Sequence, residues 1–132
     1  MDFKNYKLNL KLQNAEIELS NIEEDEDMYF VGFDLIIKIN KNIFSYQLSN
    51  SYLEKLYAFA KKQDSKFIYD EDSYISFSKA FIEILMVDSN PFKRKSESYF
   101  KIYINEENEE EQNRLEEFFI ELKALCEMLY HY

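Results

Sequence analysis

The side chains able to do chemistry are abundant in one kind and scarce in every other. Twenty-six Asp and Glu residues accompany one histidine, His131, and one cysteine, Cys126. The densest acidic stretch is NEENEEEQNRLEEFFIEL, residues 105–122, where Glu106, Glu107, Glu109, Glu110 and Glu111 precede an abruptly apolar run. A calcium loop would space Asp and Asn around a turn-making glycine. The only glycine, Gly32, does not fall within a loop of spaced Asp and Asn, so no metal site is expected. One glycine is also too few for a phosphate-cradling loop.

Nucleophilic catalysis needs a histidine held in a packed site by an orienting partner. His131 is one residue from the end of the sequence and makes a poor candidate. Cys126 falls in an apolar helical stripe, which marks it as a core thiol rather than a nucleophile. A pair of carboxylates meeting in a cleft is the one catalytic arrangement left open. The expectation is a protein that is not an enzyme, with no cofactor.

The carboxylates have a second use, as a surface. Sixteen Lys and Arg set against twenty-six acids give a formal net charge of −10. Such a surface repels nucleic acid phosphates, whose binding depends on cationic side chains, and attracts basic proteins. Helix-start acids suit the positive end of the helix dipole, so the cluster at 106–117 reads as a solvated helix face. Two loops are the better contact candidates: Glu23, Glu24, Asp25, Glu26 and Asp27, and Asp70, Glu71 and Asp72. Together with the helix start, these acids could converge on one rim. Exposed tyrosines among Tyr29, Tyr46, Tyr69 and Tyr74 would add anchors of the kind interface cores favour.

The elements that must position these groups follow from hydrophobic periodicity. Tyr6, Leu8, Leu10 and Leu12 alternate with polar residues, and the phase flips at Gln13-Asn14, where a bulge or a tight turn is expected. MYFVGFDLIIKI (28–39) reads as a buried strand, with Gly32 marking a bulge or a close backbone approach. NKN (40–42) turns the chain into IFSYQL (43–48). Leu53, Leu56, Tyr57 and Ala60 have helical spacing to about Lys62, behind a Ser51/Glu54 capping box. KFIY (66–69), YISF (74–77), AFIEILMV (80–87) and YFKIYI (99–104) are further strands, the second and third either separate or continuous. Between the last two lies a loop with Lys93, Arg94 and Lys95. Leu115, Phe118, Phe119, Leu122, Leu125, Cys126 and Leu129 define a closing helix, capped by Asn105 or Asn108. Residues 1–132 read as one domain without internal repeats. The expected class is α+β, a single antiparallel sheet of about six or seven strands packed by two helices, the second C-terminal.

No stretch reaches the roughly 20 apolar residues of a membrane span, and MDFKNYKLNLKLQ lacks the apolar run of a signal peptide. A cytoplasmic protein is expected.

The succession of a long strand and hairpin (FVGFDLIIKINKNIFSYQLS), a helix (SYLEKLYAFAKK), paired strands (FIYDEDSYISFSKAFIEILMV), one more strand and a closing helix (EEQNRLEEFFIELKALCEML) resembles the WapI-type family of bacterial immunity proteins. The resemblance spans roughly residues 5–130 and rests on layout. It implies a small cytoplasmic protein that binds and blocks a cognate toxin, often a nuclease with a basic cleft, without chemistry of its own. Two other roles stay open: an acidic nucleic-acid mimic that inhibits a nucleic-acid-binding protein, and a structural protein that forms homodimers or larger assemblies through a sheet edge.

Overall fold

The computed structural model describes residues 3–24, 30–49, 53–61, 66–69, 72–88 and 96–130. After a short 3-10 turn at Phe3–Asn5, the elements are β1 (Leu8–Lys11), β2 (Ala15–Glu24), β3 (Phe30–Ile39), β4 (Asn42–Ser49), α1 (Leu53–Lys61), β5 (Lys66–Ile68), β6 (Tyr74–Phe77), β7 (Phe81–Asp88), β8 (Ser96–Tyr103) and α2 (Glu109–Tyr130). The class is α+β, with two α-helices among the described residues. The single sheet of six or seven strands is corrected: the described strands form two four-stranded antiparallel sheets, ordered β1-β2-β3-β4 and β5-β6-β7-β8. Each strand pairs with its neighbour in sequence, and the succession breaks only at α1. That helix carries the chain off the edge of β4, so β5 begins a new sheet. Four strands and a helix therefore occur twice in the same order.

The turns explain the strand boundaries. The phase flip at Gln13-Asn14 is the tight turn of the β1–β2 hairpin, where the Leu12 N–H donates to the Ala15 carbonyl at 2.8 Å. A bulge does exist in β2, but further along. Asn21 and Ile22 intervene between the Ser20–Asp34 and Glu23–Gly32 pairs. Asn21 adopts a left-handed φ of 49°, and its amide donates to the Asp34 carboxylate at 3.2 Å. The extra residue resets the alternation, so that Ile22 joins Ile17 and Leu19 in the core. Asn40 takes φ 58°, as the first residue of a two-residue hairpin loop requires. Ser78 separates β6 from β7, its hydroxyl oxygen accepting the Phe81 N–H at 3.1 Å. Ser51 of the expected capping box lies outside the described residues.

Gly32 pairs with Ser49 on β4. A Cβ there would collide with the Leu48 carbonyl oxygen, so the expected close backbone approach is the reason for this glycine.

Both sheets turn their apolar faces to one core shared with the helices. Ring centroids of Phe33 (β3) and Phe67 (β5) lie 6.3 Å apart, and those of Phe44 (β4) and Phe100 (β8) 4.9 Å apart. Phe59 of α1 meets Phe67, Phe77 and Phe119, while Phe77 also stacks on Phe118 of α2. The whole stripe expected on α2, from Leu115 to Leu129, is buried, Cys126 included. A residual apolar void of about 10 Å³ beside Phe59 and Phe77 is too small and too apolar to hold an ordered water. Packing is therefore close to continuous across the two halves.

Candidate partner-binding surface

The acidic groups separate into different structural roles. Asn108 caps α2, its side-chain oxygen accepting the N–H groups of Glu110 at 3.0 Å and Glu111 at 3.2 Å. Glu106, Glu107, Glu109, Glu110, Glu116, Glu117 and Glu121 are exposed, as a solvated face requires. Glu111 is not part of that face. It is 4% exposed, and its carboxylate accepts the Gln13 N–H at 2.8 Å and the Asn105 N–H at 2.9 Å. It clasps the β1–β2 turn to the start of α2.

Of the two runs expected as contacts, three residues are described. Asp25, Glu26, Asp27, Asp70 and Glu71 fall outside the described residues, as do His131 and the Lys93–Lys95 triplet. Glu23 and Glu24 are half-buried members of β2 rather than loop residues, pairing with Gly32 and Phe30. Asp72 is exposed. Gly32 pairs in turn with Ser49, whose carbonyl accepts the Tyr69 hydroxyl at 2.7 Å, and Tyr69 immediately precedes the second acidic run. Both runs thus start from one end of the first sheet. The cluster opening α2 is fastened to Gln13, at the opposite end of β2, roughly 30 Å along a ten-residue strand. Among the described residues, Glu23 and Glu24 thus lie at the other end of β2 from the acids that open α2.

The register of the second sheet exposes a different feature. Its inward side chains are Phe67, Ile75, Phe77, Ile82, Ile84, Met86, Phe100 and Ile102, all buried. An antiparallel sheet with one wet face should carry polar residues on the other. Instead, Ile68, Tyr74, Leu85 and Tyr99 stand side by side in one row across all four strands, with Phe81 and Tyr103 paired two rows away. Ile68 is 50% exposed, Tyr99 52% and Tyr103 73%. The intervening row is Lys66, Ser76, Glu83 and Lys101. Its charges lean onto the rings: Lys66 Nζ lies 4.1 Å from the Tyr74 centroid and Lys101 Nζ 4.5 Å from that of Phe81. Glu83 accepts the Tyr99 hydroxyl at 2.5 Å, and that bond to a carboxylate raises the Tyr99 pKa from 10.0 to about 12.

The first sheet has the opposite character. Its outer face carries Asn9, Lys11, Glu16, Asp34, Lys38, Ser45 and Gln47, with Glu18 and Ser20 buried on it and Ile36 and Ile43 the apolar exceptions. Glu16 and Lys38 form an ion pair at 3.9 Å. Two sheets of the same topology thus differ in what they show to solvent, one ionic and one aromatic.

Of the tyrosines considered as anchors, Tyr74 belongs to the aromatic face. Tyr46 and Tyr69 are half-buried, packed against the core. Tyr29 falls outside the described residues. Sequence reasoning missed Tyr99 and Tyr103. The signal was present in YFKIYI, where aromatic residues occupy both alternating sets.

Among the described residues no cluster of three or more His, Cys, Asp or Glu side chains could hold a metal ion. None of the described helices is long and apolar enough to cross a membrane. Burial pushes the Cys126 thiol up to about 12, far from a reactive thiolate. Compared with known protein families, with curated proteins and with solved structures, the chain matches none.

Proposed function

We propose that this chain is a non-catalytic binding protein that docks a protein partner on the outer face of its second sheet. The supporting observation is the row Ile68–Tyr74–Leu85–Tyr99 with the Phe81–Tyr103 pair two rows away, of which Ile68, Tyr99 and Tyr103 are exposed and the rest half-buried. Large exposed aromatic residues beside a few charges are the composition of an interface centre. Rings already positioned by the sheet, with Tyr99 held by Glu83 and lysines laid over Tyr74 and Phe81, lose little rotamer freedom on binding.

The role proposed for that binding is neutralisation of a cognate toxin, in keeping with the layout that resembles the immunity proteins. The net charge of −10 selects a basic partner and accelerates encounter, a fitting property for blocking a nuclease. The acidic residues Glu23 to Asp27 and Asp70 to Asp72 are proposed as a steering surface, with the aromatic face as the anchor. The nucleic-acid mimic is the weaker reading. A mimic needs carboxylates in rows at phosphate-like spacing, whereas Glu111 is buried and, among the described residues, Glu23 and Glu24 lie at the far end of β2 from the acids that open α2.

The experiment is co-expression with a basic, growth-arresting protein encoded beside this chain, scored by cell growth. Wild type is expected to restore growth, and the Tyr99→Ala/Tyr103→Ala pair to fail while remaining folded by circular dichroism. Full protection by the folded double variant would remove the aromatic face from the interface. Failure of the wild-type protein to protect would sink the toxin reading.

A further inference from the structure

A sheet edge is a row of unpaired backbone groups, and proteins shield such edges with charges, proline, bulges or brevity. Three of the four edges here are shielded. β1 has four residues and carries Lys11, β5 has three and carries Lys66, and β8 carries Glu97 and Lys101. The fourth, β4, is NIFSYQLS: eight residues with no charge, no proline and no bulge in its pairing.

The edge of β4 that no described strand pairs with borders a groove of about 400 Å³. Ser45, Tyr46, Gln47 and Leu48 line it consecutively, so both side-chain sets contribute and the strand's edge forms the wall. The floor is the inner face of the second sheet where it runs past that edge: Tyr69, Ser73, Met86, Ser96 and Ser98. The lining among the described residues is uncharged and rich in hydroxyls.

Hairpin geometry decides which backbone groups look into the groove. Ile39 and Asn42 flank a two-residue loop, so they form a hydrogen-bonded pair, and the alternation makes Phe44, Tyr46 and Leu48 the residues bonded to β3. Ser45, Gln47 and Ser49 must then aim their N–H and C=O groups outward. The Ser49 carbonyl agrees with this phase, because the Tyr69 hydroxyl reaches it from the groove side. Ser45 and Gln47 have no hydrogen-bond partner on that side among the described residues.

We propose that β4 receives an extended peptide segment of a partner protein, which adds as a strand along Ser45–Ser49 and lays alternate side chains on the Tyr69/Ser73/Ser98 floor. Strand addition supplies main-chain affinity, and the floor selects small or uncharged residues at every second position. The net charge of −10 favours basic residues at the intervening, solvent-facing positions. A second copy of this chain is a poor occupant, because its β4 comes with a second sheet packed behind it, while the groove is walled by β4 and floored by β7 and β8. The site is on the opposite side of the second sheet from the aromatic face and is independent of it.

The test selects a displayed library of random nine-residue peptides against the immobilised domain. Enriched peptides are then titrated into wild type and into Gln47→Pro. That substitution removes an N–H that β3 does not use, at an edge position where proline is tolerated, and circular dichroism checks its fold. The expected result is enrichment of alternating basic and small uncharged residues, slowed amide exchange at Ser45 and Gln47, and about tenfold weaker binding to Gln47→Pro, the worth of one main-chain hydrogen bond. Tyr99→Ala/Tyr103→Ala should bind these peptides like wild type. No enrichment, or equal binding to Gln47→Pro, overturns the proposal. So does concentration-dependent dimerisation that Gln47→Pro abolishes, since the edge would then serve a second copy. If Gln47→Pro does not fold, backbone N-methylation of the peptide replaces it: an N-methylated peptide that binds as tightly as its parent overturns strand addition equally.

Discussion

The Glu111 carboxylate accepts the backbone N–H of Gln13 across 98 positions of sequence, and with its other oxygen the N–H of Asn105. One acid from a run that otherwise faces water thus holds the first hairpin turn to the start of the last helix. Hydrogen bonds to an ionised acceptor contribute about 1.5–3 kcal/mol each, and stranding buried donors adds to the loss. Glu111→Ala should therefore destabilise the protein by roughly 3–4 kcal/mol, and Glu109→Ala by less than about 0.5 kcal/mol. Urea denaturation of the two variants checks this, and equal midpoints would remove Glu111 from the clasp.

Gly32→Ala forces a methyl against the Leu48 carbonyl oxygen, which belongs to backbone and cannot swing aside. Either the β3–β4 ladder opens near Ser49 or the strands bow apart. We expect a loss of about 1–3 kcal/mol, the usual range for overpacking, with faster amide exchange at Phe33 and Leu48. An unchanged melting temperature would mean that β4 yields freely.

Phe118 is 3% exposed and stacks on Phe77 with centroids 5.7 Å apart. Phe118→Ala should cost about 3–5 kcal/mol as a large-to-small core change. Thermal melts decide the matter. A shift of only a degree or two would show that the site collapses around the deletion.

These three positions also show how far the sequence was readable. The Phe118 stripe was legible because helical spacing over several turns has one interpretation. Gly32 was legible because a lone glycine in a β-branched run needs a steric reason. Glu111 was not singled out, although it lies three residues after Asn108 and four before Leu115, on the side of the apolar stripe. Its burial is created by Gln13, a distant turn. The division into two sheets was hidden for a related reason: alternation identifies strands but not their partners, and only the departure of α1 from β4 ends the first sheet. Along β8 and the residue after it, the alternation sets Phe100, Ile102 and Ile104 on one side, and all three are buried, but alternation alone does not say whether the other side, with Tyr99 and Tyr103, meets solvent or another element.

Tyr99 should titrate late. Its hydroxyl bond to the Glu83 carboxylate raises its pKa from 10.0 to about 12. Ultraviolet titration of wild type against Tyr99→Phe isolates this phenol, and Glu83→Gln should return it toward the ordinary value. If Glu83→Gln leaves the difference curve in place, the carboxylate is not the cause.

Cys126 predicts a loss of stability in alkali. Burial first, and then the nearby Glu127 charge, raise its pKa from 9.0 to about 12. The unfolded chain gives up the thiol proton near pH 9, while the native state keeps it to about 12. Over that window the unfolded state binds fewer protons, so stability falls as pH rises and is fully present below pH 9. The decline between pH 9 and 11 should be shallower in Cys126→Ala than in wild type. Parallel curves would assign the loss to other groups.

The unbroken succession of strands has a consequence for how quickly the molecule assembles. With every strand paired to its sequence neighbour, each meander can zip from a hairpin seed while the rest of the chain is still unformed, a low-contact-order route. The contacts between the sheets and helices come from further apart in sequence, and the longest hydrogen-bonded ties run from α2 to the first hairpin, where Glu111 reaches Gln13 and the Arg114 guanidinium donates to the Lys11 carbonyl, 103 residues away. Closing that span costs entropy that no earlier contact recovers. The tie of the last helix to the first turn is therefore expected to close after the two meanders have formed, and during synthesis only once that helix has emerged.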